Sequence, residues 1–149
     1  MTKILHIVAS PRGENSQSSK LAQAYLAARK AHQPDVEIDV IDLWHADLPE
    51  FDGDKAAAKM TFFGVGEMDE GGQSAWDQIV AITRRFTDAD EYVFSVPMWN
   101  CGVPYKLKHY IDLITQPGLL FGFTARASTP PAHRPNTGRI STRPTCPGG

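Results

Sequence analysis

Residues 3–20 read KILHIVASPRGENSQSSK. Lys3 to Ala9 is a near-continuous apolar run of strand length, the pattern of a strand buried on both faces of a parallel sheet. Ser10-Pro11-Arg12-Gly13 breaks it. From Ser18 to about His32 the sequence reads as a helix, with Ser18 or Ser19 able to cap its start. Leu21, Tyr25 and Ala28 share one face, with Ala22 and Leu26 beside it. A buried strand, a hydroxyl-rich turn and a helix are the opening unit of a wound α/β sheet.

The same alternation continues downstream. Val36 to Leu43 places Val36, Ile38, Val40 and Asp42 on one parity and Glu37, Asp39 and Ile41 on the other, which predicts a strand near a sheet edge. Residues 44–72 are a long mixed connection, with a short helix expected around Lys55–Phe63. Ser74 to Thr87 repeats every 3.6 residues through Trp76, Ile79, Val80, Thr83 and Phe86. Glu91 to Val96 reads as a third strand, and Pro97 to Val103 as a loop. Pro104 suits the first turn of a further helix. There Leu107, Tyr110, Ile111 and Ile114 are expected inward, and Pro117-Gly118 ends it. The order β-α-β-(α)-α-β-α predicts a doubly wound parallel sheet with strand order 2-1-3.

Composition narrows the class. The 149 residues carry a net charge of −2, with 42% hydrophobic and 21% charged residues. That fits one globular domain and excludes collagen-like, coiled-coil and disordered chains. No window reaches the roughly 18 apolar residues of a membrane helix, and Met1-Thr2-Lys3-Ile4 opens no secretory signal. With only two cysteines, Cys101 and Cys146, the expected compartment is the cytoplasm rather than an oxidising one. The near-neutral charge offers no case for nucleic acid.

The average hides a break near residue 125. From Arg126 onward there are four arginines, five of the eleven prolines and no acidic residue. Taking those four from the 15 basic residues leaves 11 against 17 acidic ones in residues 1–125, a net of −6. Residues 126–149 are expected to be irregular, because so little apolar area cannot offset ordering entropy. A natural flexible tail and a C-terminus read in a shifted frame both fit this composition.

Two loops carry the candidate chemistry. Ser10 to Ser19 joins the first strand to the first helix, where free N–H groups and a partial positive charge suit a phosphate. It is neither G-x-x-x-x-G-K-S/T nor G-x-G-x-x-G. Its hydroxyls fit a mononucleotide such as FMN, and they equally fit plain helix capping. Pro97 to Pro104 follows the third strand. In a 2-1-3 sheet the two loops meet at one crevice, where Met98, Trp99 and Asn100 offer an aromatic wall and backbone groups for a flat heterocycle. The plainer alternative is a turn with a core Trp. His32, His45, His109 and His133 lack metal-ligand spacing, and no CxxC or HExxH occurs. His6 is expected to pack inside its strand. Asp47, Glu50 and Asp52 read as solvated loop charges.

Ser10, Ser16-Gln17-Ser18, Pro97-Met98-Trp99-Asn100, Pro104-Tyr105-Lys106-Leu107-Lys108-His109-Tyr110-Ile111-Asp112 and Gln116 to Thr124 resemble the FMN-dependent NADH:azoreductase and NAD(P)H:quinone reductase family. The resemblance runs from residue 3 to about 124. It implies an α/β, flavodoxin-like doubly wound parallel sheet over residues 1–125, a homodimer, and FMN held near the dimer interface. Carried over by position, Ser10, Ser16, Gln17 and Ser18 bind the phosphate and ribityl end. Met98, Trp99, Asn100 and Cys101 line the isoalloxazine ring, although relatives often have an aromatic residue at the place of Cys101. No catalytic side chain and no metal is implied. The implied reaction passes a hydride from NADH or NADPH to the flavin, then two electrons to a quinone or an azo compound. Relatives continue into two further strands and helices that this sequence lacks. The C-terminal strands are therefore expected to be missing, as in a truncated or frameshifted copy. A flavodoxin-class electron carrier and a non-catalytic remnant are the alternatives.

Overall fold

The computed structural model of the chain describes residues 1–122. Phe123, Thr124 and the 126–149 segment, where an irregular tail was expected, lie outside the described residues. The elements are β1 (Lys3–Val8), α1 (Gln17–His32), β2 (Glu37–Asp42), α2 (Gly53–Thr61), α3 (Glu70–Thr87), β3 (Glu91–Ser95) and α4 (Tyr105–Ile114). The three strands form a parallel sheet in the order β2-β1-β3, as the alternation predicts.

β1 is central, so both its faces are covered. Ile4 pairs with Ile38 and Glu91, and Ile7 with Ile41 and Phe94. On one face Leu5, Ile7, Ile41 and Leu43 pack against Leu107, Tyr110 and Ile114 of α4, with Ile82 and Phe86 of α3 beside them. On the other, Ile4, Val36, Ile38 and Val93 pack against Leu26 of α1. A further cluster of Ala58, Trp76, Ile79 and Leu113 ties α2, α3 and α4 together.

Three facing assignments differ from expectation. On α1 the packed residues are Ser19, Ala22 and Leu26, while Leu21, Tyr25 and Ala28 point outward. On α4 Leu113 is buried and Ile111 is exposed. On β2 the parity holds at Val36, which is buried, but not at its end, where Val40 is exposed and Ile41 of the other parity is buried. Arg85 of α3 binds the outer edge of β2. Its guanidinium donates to both carboxylate oxygens of Asp39 (2.8 and 2.6 Å) and to the Val40 carbonyl at 2.8 Å. Asp52 is more than a solvated charge: its carboxylate caps α2 by accepting from the Lys55 N–H, and it pairs with the Lys55 ammonium at 3.1 Å.

Candidate functional site at the carboxyl ends of β1 and β3

The loops after β1 and β3 leave neighbouring strand ends, and the Ala9 N–H donates to the Ser95 carbonyl at 3.0 Å. Ser10 is buried and its hydroxyl accepts from the Arg12 N–H at 3.4 Å. Gly13–Asn15 forms a 3-10 turn that delivers Ser16 to the α1 N-cap. The Ser16 hydroxyl accepts from the Ser19 N–H at 3.2 Å and shares a hydrogen bond with the Ser18 hydroxyl at 3.1 Å. Gln17 is exposed. The capping alternative is therefore real for Ser16, whose hydroxyl also holds that of Ser18. Ser19, which the sequence reading used only as a possible cap, is buried, and its hydroxyl has no hydrogen-bond partner among the described residues.

The second loop is a tight hairpin. Trp99 and Gly102 exchange N–H···O bonds of 2.9 and 2.8 Å, with Asn100 and Cys101 between them at φ 48° and 61°. Positive φ at both central positions is the type I′ turn. Asn tolerates it, but a cysteine there costs roughly 1–2 kcal/mol. The turn thrusts Asn100 and Cys101 into solvent, and Met98 is also largely exposed. Trp99 is half-buried and is not a core residue.

Beneath both loops lies one buried polar pair. His6 Nε2 and the Ser95 hydroxyl share a hydrogen bond of 2.6 Å. His6 is thus packed within its strand, as expected. Burial holds its imidazole pKa below the usual 6.5. Below about pH 6.5 the unfolded chain takes up a proton on this ring that the folded chain refuses. Stability is therefore expected to fall as pH drops from about 6.5 toward the lowered folded value, and then to level off. Thermal melts between about pH 8 and 5 should show this slope in the wild type. His6→Gln, which does not titrate, should show a shallower one; equal slopes would refute it.

Trp44, just after β2, was missed by the motif reading. The Asp42 carboxylate accepts from its backbone N–H at 2.9 Å and sets the turn. Its indole N–H donates to the Ala9 carbonyl at 2.9 Å. The ring meets Trp99 at 5.6 Å and Tyr105 edge-on at 5.4 Å. The only sequence signal was a lone tryptophan at the carboxyl end of a strand, the end that faces the crevice.

A hydroxyl-bearing helix N-terminus and a strained aromatic turn follow adjacent strands at the switch point of a 2-1-3 sheet, the place where open α/β sheets bind ligands. The family described by a flavodoxin-like fold matches residues 2–139, and the chain belongs to it. It is 60% identical over 123 residues to an FMN-dependent NADH:quinone oxidoreductase of Ruegeria pomeroyi, covering 83% of this chain and 60% of that one. It is 49% identical to FMN-dependent NADH:quinone oxidoreductase 2 of Pseudomonas syringae pv. tomato, covering 83% and 59%. Among solved structures, an azoreductase from Bacillus anthracis superposes with a TM-score of 0.72 at 30% identity, covering 83% of this chain and 60% of that one. An FMN-dependent NADH-azoreductase from the same species, in complex with FMN, gives 0.67 at 25% identity, with the same coverage. The chain thus spans about 60% of the length of the curated relatives it matches.

Proposed function

We propose that residues 1–125 are the FMN-binding part of an FMN-dependent NAD(P)H oxidoreductase that reduces quinones and azo compounds. The observation that supports this reading is that the two loops leave adjacent strand ends, joined by the Ala9–Ser95 bond, one loop leading to the capped α1 N-terminus and the other to the Trp99–Gly102 turn. The residues fit the group. The buried Ser19 hydroxyl, without a hydrogen-bond partner among the described residues, is spare polar capacity at a helix end that favours an anion, and the Ser18 hydroxyl there pairs only with that of Ser16 among the hydrogen bonds described. Ser10, Ser16, Gln17 and Ser18 would hold the phosphate and ribityl end. Met98, Trp99, Asn100 and Cys101 would line the ring, with the strained turn presenting backbone groups to its polar edge.

The flavin, when bound, supplies the two-electron chemistry between NADH or NADPH and a quinone or azo acceptor. The chain's part is to grip the phosphate, orient the ring and shield one side of it from water. No acid or base is assigned. A homodimer, supported by the family resemblance, and a cytoplasmic location, supported by the two-cysteine composition, belong to the same proposal.

The test is the visible spectrum of the purified chain before and after adding FMN. Flavin bands that stay with the protein on desalting, bleach with NADH and return with a quinone are the expected result. A colourless protein that releases added FMN overturns the reading and favours a non-catalytic remnant. Bound flavin that NADH does not bleach favours an electron carrier.

A further inference from the structure

Trp44 lies outside the two loops that the proposed function uses, yet it touches both of their supports. Its indole N–H holds the Ala9 carbonyl. In a trans peptide the carbonyl and the following N–H point in opposite directions, so fixing the Ala9 oxygen also fixes where the Ser10 N–H points. Its ring packs on Trp99, the first residue of the strained turn, and on Tyr105, the first residue of α4. One side chain thus spans the end of β1, the aromatic turn and the start of α4. Trp44 is held in turn by the Asp42 carboxylate, which accepts from its backbone N–H.

We propose that Trp44 is a positioning residue for the flavin site. It sets the angle between the Ser10 peptide and the Trp99–Gly102 turn, so that the phosphate grip and the ring wall engage one ligand together. This rests on the FMN reading above. Trp44 is not assigned contact with the flavin.

The experiment uses the full chain and FMN as the probe. Trp44→Ala removes the N–H donor and both ring contacts, and is expected to raise the FMN Kd about tenfold or more, the size of one hydrogen bond and an aromatic contact together. Trp44→Phe keeps a ring and loses the donor; it should restore part of the affinity, with a Kd about threefold above wild type. Visible circular dichroism of the bound flavin should change in both, because the ring wall is re-aimed. Ile79→Val, which loosens the Ala58–Trp76–Ile79–Leu113 cluster away from the crevice, should lower stability and leave the Kd and the dichroism unchanged. If Trp44→Ala fails to fold, Trp44→Phe decides alone. Wild-type affinity and dichroism in the variants, or the same Kd loss in Ile79→Val, overturn the positioning role. A wild-type chain that binds no FMN overturns the functional reading itself, and the positioning role with it.

Discussion

Replacing Ser16 by aspartate is expected to leave the melting temperature unchanged or higher while reducing FMN affinity at least a hundredfold. The two effects differ because Ser16 caps α1 and, in the proposed function, also holds the phosphate. As N-cap its hydroxyl accepts from the Ser19 N–H, and aspartate caps as well as serine. A carboxylate at a helix N-terminus also gains from the dipole. The same carboxylate would stand where a phosphate of about two negative charges must sit, and like charges in contact cost several kcal/mol, enough for a hundredfold loss. Ser16→Ala should behave differently, losing about 1 kcal/mol of stability with the cap and roughly tenfold or more in affinity with the hydroxyl. Thermal melts and fluorescence titration with FMN read both quantities. An aspartate variant that binds FMN like the wild type would remove the phosphate from the α1 N-terminus.

Replacing Ile7 by alanine is expected to cost about 3 kcal/mol or more, the largest stability loss foreseen for one side chain here. Ile7 is fully buried in the central strand, flanked by Ile41 and Phe94 and covered by the α4 residues of the largest core cluster. Nothing beside it can collapse inward, because the sheet fixes its neighbours' backbones. For a chain of this size the midpoint should fall by about 10 °C or more. Val40→Ala, on an exposed strand position, should change stability by about 0.5 kcal/mol or less. Comparable losses at both sites would mean that the sheet faces are misassigned.

The strand order and the placing of both loops were legible because they follow from rules of connection: three apolar runs separated by helices admit few parallel arrangements. Which face of each element turns inward was less so. α1 has apolar residues nearly all round, Leu21, Ala22, Ala24, Tyr25, Leu26, Ala27 and Ala28, so periodicity could not choose a side; the sheet beneath chose Ala22 and Leu26. In α4, Ile111 and Leu113 competed for one inward position, and contact with α2 and α3 decided for Leu113. The strained turn was invisible because Asn-Cys carries no glycine to announce a positive φ. Trp44 was missed because it belongs to no motif: the carbonyl its indole N–H meets is 35 residues away.

The Arg85 clamp on Asp39 and the Val40 carbonyl has a consequence for how molecules could add to one another. An open strand edge is a template for another chain. On the β2 side that template is occupied by a charged fork, and an incoming strand would have to evict it. Within the described residues β3 pairs only with β1. A sheet edge held by such a fork resists growth from that side, so the β2 side acts as a stop.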